Sequence, residues 1–438
     1  MLRRRLLTPL QKFIQIESFS GMLLFLATLL ALLWANSPYG HLYTALWDSE
    51  VGFRTEVFSL SKPLILWVND GLMAIFFFLI GLEIKRELLI GELDSLRKAA
   101  FPFFAAVGGM IMPCLLFLLF NQNPATQPGW GIPMATDIAF ALAILKILGD
   151  RVPLSLKVFL TAFAIIDDLG AVLVIAIFYS SGIKVFLLLY ALLPLLLLAL
   201  LSYRNYYRPF ITLVLGVLIW VLFLKSGVHP TIAGVLIAFT IPIRQRVDFA
   251  DFRTRLTKLV PELQLAPENK QGILSKTQIH TLDELDTITG EVQSPLQHLE
   301  HRLHNWVAYL IMPIFALTNA GVVFGGTQEL DLQLVGLLVL CLIVGNSIGL
   351  TLMSWVGLKL AWSTLPQGMN MRHVIGAAFL AGVGFTMSIF VTNLAFADRP
   401  MLIASAKVGI IIGSTICGIL GYLILRGAKP QHQDLDAL

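Results

Sequence analysis

The chain has 438 residues, 57% of them hydrophobic and only 13% charged, with a formal net charge of +4. Soluble domains carry roughly a quarter charged residues, so a mean hydropathy of +0.80 excludes an ordinary soluble enzyme and gives no footing for a nucleic-acid partner. In such a chain the placement of positive charge is more informative than its sum.

Apolar stretches of helical length recur from end to end, and crossing a bilayer takes roughly 20 apolar residues per helix. The fold expected is therefore an all-α integral membrane protein with about twelve transmembrane helices. In order they fall at 19–36, 63–84, 99–120, 133–147, 154–179, 185–203, 209–224, 228–243, 303–323, 333–358, 373–396 and 402–425. Residues 1–18 carry Arg3, Arg4 and Arg5 ahead of the first apolar run, with no small-residue cleavage site after it. They read as a cytoplasmic N-terminal arm on an uncleaved first span. Residues 42–58 (LYTALWDSEVGFRTEVF) alternate loosely around a polar turn at Asp48 and Ser49, the pattern of a small extracytoplasmic hairpin.

Further along, the connectors alternate in character. One set holds Lys85, Arg86, Arg97 and Lys98, then Lys146, Arg151 and Lys157, then Arg204 and Arg208, then Arg244 and Arg246, then Lys359 and Arg372. The other set, NQNPATQPGWG, GGTQELD and the link near Asp398, is nearly free of basic residues. The positive-inside rule puts the first set on the cytoplasmic side, with both termini and the 426–438 tail. The 244–302 segment is long and charged and reads as a cytoplasmic loop. Cys114, Cys341 and Cys417 are scattered in apolar segments and give neither a disulfide framework nor a metal spacing.

Two spans are interrupted. GIPMATDIAFALAI packs Gly131, Pro133, Thr136 and Asp137 into a short segment, and GAAFLAGVGFTMSIF places Gly382 and Gly384 mid-span. Each lies in the middle of a three-span group, 99–179 and 333–425. Short or glycine-broken segments in corresponding positions point to a transporter with discontinuous helices meeting at mid-membrane. With loops on opposite sides, the groups form inverted three-helix repeats.

Chemistry concentrates in FAIIDDLGAVLVIA. An ionised carboxylate in hydrocarbon is costly unless compensated, so an intramembrane acid points to function. Asp167 and Asp168 leave a helix about 100° apart and serve different partners. Asp137 and Thr136 on the preceding span lie at a comparable level, beside an opened backbone. Carboxylates, a hydroxyl and freed carbonyls are hard oxygen ligands that suit a small hydrated cation. The same acids hold either that cation or protons, so exchange follows from competition. A purely structural polar network is the alternative.

GLEIKREL (81–88), MATDIAFALAILKILGDRVPLSLKVFLTAFAIIDDLGAVLVIAIFYS (134–180), GVHPTIAG (227–234), LEHRLHNWVAYLIMPIFALTNAGV (299–322) and GAAFLAGVGFTMSIF (376–390) resemble, in family order, the NhaA-type sodium/proton antiporters of bacteria. That family is a reference case for inverted-repeat transporters, so its fold is inherited from the resemblance. The resemblance implies a core ion-binding domain, here repeats 99–179 and 333–425, and an interface domain of 19–84, 185–243 and 303–323. It implies Na+ and protons bound at Asp168 and Asp167, with Asp137 and Thr136 at the crossing of the two broken helices. It also implies exchange of Na+ or Li+ for H+ by alternating access across the bacterial inner membrane, in pH homeostasis. Two copies are expected to pair within the lipid, and no cofactor is implied.

One departure stands out. The tenth span of the family usually carries a lysine in G-K-x-x-G that pairs with the first aspartate of the doublet, and here the chain reads GNSIG, with Asn346 in its place. An amide donates a hydrogen bond but brings no charge, which puts stoichiometry and electrogenicity in question. Lys407 on the last span is the rival source of charge. A second cluster, Glu83, Arg86 and Glu87 with Glu300, His301 and His304, matches family positions for pH regulation. Histidine titrates near neutrality, which suits that role.

Two rival functions fit the sequence less well. A sodium-coupled symporter of an organic anion needs basic or polar anchors that the spans offer sparsely. An intramembrane aspartyl protease needs two aspartates on separate spans flanking one peptide, which an adjacent pair does not provide. No Walker A sequence suggests ATP as driver.

Overall fold

Residues 9–54, 59–91, 93–180, 182–244, 248–265, 276–323 and 330–428 are described by the structure, a computed structural model. Residues 1–8 of the N-terminal arm, 55–58 of the expected hairpin, Arg246, residues 266–275 of the long loop, most of GGTQELD and the tail from 429 lie outside them.

Glycine and proline set most boundaries. α1 (Pro9–Ala35) ends before Pro38, and α2 (Gly40–Asp48) turns 111° from it. Strands β1 (Glu50–Arg54) and β2 (Ser59–Pro63) pair antiparallel, with Gly52 opposite Ser61. The ribbon thus lies later than 42–58 suggested. Residues 42–48 are helical because Tyr43 and Trp47, one turn apart, bury together on one face. α3 (Leu64–Leu66), a π-helical turn (Trp67–Leu72) and α4 (Met73–Ile90) run on as one span, Leu64–Ile90.

α5 (Leu96–Phe120) leads to a 3-10 segment (Gln127–Met134), extended residues and α6 (Ile138–Leu148). α7 (Leu154–Phe178), α8 (Val185–Tyr203), α9 (Pro209–Ser226) and α10 (Thr231–Thr240) follow. The long charged loop holds α11 (Phe249–Leu265) and α12 (Lys276–Val292), packed on each other. α13 (Pro295–Trp306) passes through a π-helical turn (Val307–Ile311) into α14 (Met312–Asn319). α15 (Leu332–Leu340), another π-helical turn (Cys341–Gly345) and α16 (Asn346–Lys359) form one span. α17 (Met371–Ala381) and α18 (Phe385–Ala395) meet at 41°, and α19 (Pro400–Arg426) closes the bundle.

Among the described residues, 8 helices are long and apolar enough to cross a membrane alone, and up to 10 crossings arise if each bent pair counts as one. The expectation of about twelve differs through two stretches. α10 has only 10 residues, set between Pro230 and Pro242, and the helix through 295–319 begins on polar turns around Gln297, His298 and Glu300.

Packing follows small residues. α5 crosses α16 where Gly108 meets Gly349, and a Cβ on either would run into the other's backbone. A Cβ on Gly345 would lie 2.7 Å from Pro113 Cα. The Gly345 to Gly349 stretch is thus a small-x-x-x-small crossing, which lets helices approach closely where apolar burial gives little drive in lipid. α1 wedges between α6 and α14, α4 lies on α10, and α19 lies on α15 and α17. At the edge α8 and α9 pair, leaving Leu189, Leu193 and Leu196 exposed as a lipid-facing surface would.

Candidate functional site

The two interrupted spans meet at their breaks. Between the 3-10 segment and α6 the chain is extended, and the backbone N–H of Asp137 donates to Val383 O at 2.6 Å, inside the break between α17 and α18. The Thr136 hydroxyl donates to Ala381 O at 2.8 Å. Helix ends leave backbone groups without internal partners, and here each break satisfies the other's.

Asp137 caps two helices at once. Its Oδ1 accepts from Phe140 N at 3.3 Å at the start of α6, and its Oδ2 accepts from Thr386 N at 3.1 Å and from the Thr386 hydroxyl at the start of α18. A carboxylate at a helix N-terminus is favoured by the dipole and the free N–H groups. Asp137, expected as a third ligand, therefore has its oxygens engaged in joining the breaks. Thr386 was not singled out from the sequence, although a hydroxyl in the first turn after a glycine break is a recognisable capping signal.

The aspartate doublet divides as its helical spacing requires. Asp167 is buried, and its Oδ2 accepts from Thr136 N at 3.0 Å while Oδ1 has no hydrogen-bond partner among the described residues. Asp168 turns instead into a cavity of about 50 Å³ that it shares with Asp137, Thr136, Thr386, Thr161 and Glu83. Asp137, Thr136, Asp167 and Asp168 are thus brought together from the extended stretch before α6 and from α7.

Asn346 is buried, and its Nδ2 donates to Pro133 O at 2.9 Å on the backbone just ahead of Thr136. Among the described residues no basic side chain pairs with Asp167. Lys407 is buried on α19 and forms no ion pair among them either.

At the end of α4, Arg86 reaches Glu300 at 2.9 Å and Glu87 at 2.7 Å, and His304 Nδ1 lies 3.6 Å from Glu83. His301, on the same helix as His304, is exposed and outside this network. Burial lifts the Glu300 carboxyl from 4.5 to about 7, against the pull of Arg86, while neighbouring Glu83 adds to the rise.

Roughly 20 Å back along the α4 span, at about 1.5 Å per residue, lies an asparagine cluster that the sequence reading missed. Asn319 Nδ2 donates to Asn69 Oδ1 at 2.8 Å, and Asn393 Nδ2 donates to Asn319 Oδ1 at 2.7 Å. Beside it, Phe390 packs on Phe77, Phe315 and His229. No spacing rule links three asparagines on three separate helices, so only their packing reveals them.

A helical membrane protein whose two broken spans cross beside buried carboxylates is, by that architecture, a transporter of ions. The sequence profile of the family described as Na+/H+ antiporter 1 matches residues 11–425. The chain is 46% identical to the Na(+)/H(+) antiporter NhaA of Oleidesulfovibrio alaskensis, over 98% of this chain and 96% of that protein. It is 44% identical to the one from Wolinella succinogenes, over 95% and 92%, and 42% identical to the one from Bacteroides fragilis strain YCH46, over 98% and 99%. The chain belongs to this family of sodium/proton antiporters.

Proposed function

We propose that the exchange runs by competition at Asp167 and Asp168, which hold either Na+ (or Li+) or protons and face one side of the membrane at a time. The observation that carries this reading is the divergence of the doublet: Asp168 lines the cavity, while Asp167 sits against the opened backbone at Thr136. Asp168 is the carboxylate through which the cation reaches the site. Thr136 orients Asp167, and Asp137 with Thr386 ties the two breaks into one unit that moves together. Interface spans 19–84, 185–243 and 303–323 flank that core of inverted repeats. Both termini and the Glu83 end of the cavity face the cytoplasm, as the basic connectors argue.

Asn346 in place of a lysine leaves Asp167 without a cationic partner, so the charge moved per cycle differs from that of relatives that keep the pair. The Glu83, Arg86, Glu87, Glu300 and His304 cluster at the mouth of the cavity sets the pH response. The chain works as a homodimer in the inner membrane. The test of the central reading is dequenching of a pH dye in everted vesicles on adding sodium. Native protein dequenches and Asp168→Asn does not; equal dequenching by both sinks the proposal.

A further inference from the structure

Among the described residues the cavity beside Asp168 is lined by four hydroxyls, and each commits its proton to another oxygen of the protein. Ser20 donates to Ala308 O at 2.8 Å, Thr136 to Ala381 O at 2.8 Å, Thr161 to Lys157 O at 3.0 Å, and Thr386 to Asp137. A hydroxyl has one proton to donate and two lone pairs. Once the proton is committed, it offers its surroundings only acceptors. Among the described residues the remaining polar side chains on the cavity wall are Asp137, Asp168 and Glu83, and no Lys, Arg, His, Asn or Gln lines it. A space of this kind repels anions, offers no donor to the lone pairs of a neutral molecule, and rewards a cation stripped of part of its water.

Within that wall Thr161 and Ser20 bond to backbone oxygens and not to the carboxylates of the exchange site. Thr161 lies two turns before Asp168 on α7, on the same helix face, and so stands about 10 Å along the axis from it. Ser20 reaches in from α1, where its bond to Ala308 fixes α1 to the π-helical turn beside α14. The volume of about 50 Å³ takes a small cation with roughly two or three waters.

We infer that Thr161 and Ser20 form a separate vestibular subsite for a partly hydrated monovalent cation, between Glu83 and Asp168, which sets how tightly Na+ is captured before Asp168 takes it. This rests on the reading that Asp168 is the exchange carboxylate. The subsite binds through neutral oxygens, so it favours cations over protons. A proton instead passes along water and carboxylates and does not depend on these hydroxyls.

The experiment is sodium titration of dye dequenching in everted vesicles, where the Glu83 end faces the medium, using native protein, Thr161→Val, Thr161→Ser and Ser20→Ala. Thr161→Val removes the oxygen at nearly constant shape, and loss of one such contact raises half-saturating sodium about 5-fold. Thr161→Ser stays near native, Ser20→Ala moves in the direction of Thr161→Val, and the pH profile at saturating sodium does not shift. Native half-saturation in both Thr161→Val and Ser20→Ala overturns the inference, as does a fall in maximal rate with unchanged half-saturation. If Thr161→Val fails to reach the membrane, Ser20→Ala decides alone. Sodium-independent behaviour of the native protein overturns instead the exchange function on which the subsite rests.

Discussion

The backbone N–H of Thr136 donates to Asp167 Oδ2 at 3.0 Å, joining the opened stretch before α6 to the middle of α7. Asparagine at 167 keeps an acceptor oxygen for this bond but loses the charge and the exchangeable proton. Asp167→Asn is expected to unfold within about 1 kcal/mol of native while its exchange rate falls at least about tenfold, a barrier rise near 1.4 kcal/mol. Thermal unfolding in detergent and vesicle exchange check the two halves separately; native exchange by the variant contradicts the role given to Asp167.

Thr386 makes two bonds to Asp137, one from its backbone and one from its hydroxyl. Thr386→Val keeps the first and removes the second, leaving a buried carboxylate short of a donor. A hydrogen bond to a charged group contributes about 1.5–3 kcal/mol. Stability should fall by that order in Thr386→Val and return toward native in Thr386→Ser. A stable Thr386→Val shows that the two breaks are held by backbone alone.

Asn346 donates its amide N–H to Pro133 O, and its buried Oδ1 has no partner among the described residues. A lysine introduced there brings the positive charge that Asp167 lacks. The expected outcome for Asn346→Lys is a change in charge moved per turnover, read as membrane-potential dependence of sodium uptake in proteoliposomes. Identical dependence in variant and native protein removes Asn346 as the determinant.

Glu300 carries a pH signature of definite sign. Burial raises its carboxyl from 4.5 to about 7 in the fold, so between those values the folded chain binds more protons than the unfolded chain. Stability from this group is therefore present at low pH and lost as pH rises through about 7. Glu300→Gln cannot ionise, so the decline in stability across that window should flatten, and the activity profile should shift near the same pH. A slope of stability against pH identical to native sinks the assignment.

Asn393 bridges α18 to Asn319 at 2.7 Å, and Asn319 in turn holds Asn69. Asn393→Ala leaves the buried Asn319 oxygen with only its longer contact from Asn69 at 3.3 Å. A loss of about 1–3 kcal/mol is expected on thermal unfolding. Asn393→Ala at native stability shows the bridge to be incidental.

The covalent order of residues was enough to determine the solvent of this protein and to mark the aspartates of its candidate site. Hydrocarbon length, sparse charge and basic connectors are local quantities, so membrane-spanning helices were legible from them although their number was not. Burial cost alone marks Asp167 and Asp168, and helical spacing alone sends them to different partners. The interruptions at Pro133 and Gly382 to Gly384 were legible because proline and glycine act on their own backbone. What only the tertiary structure decided is which groups satisfy one another across spans. Asp137 became a double cap because α18 happens to start beside it, and His304 joined Glu83 while His301 turned outward. Ser20 and the three asparagines acquired partners from helices far away in the chain. Hydrogen bonds and close packing depend on positions within a few tenths of an ångström, and no one-dimensional pattern carries such distances.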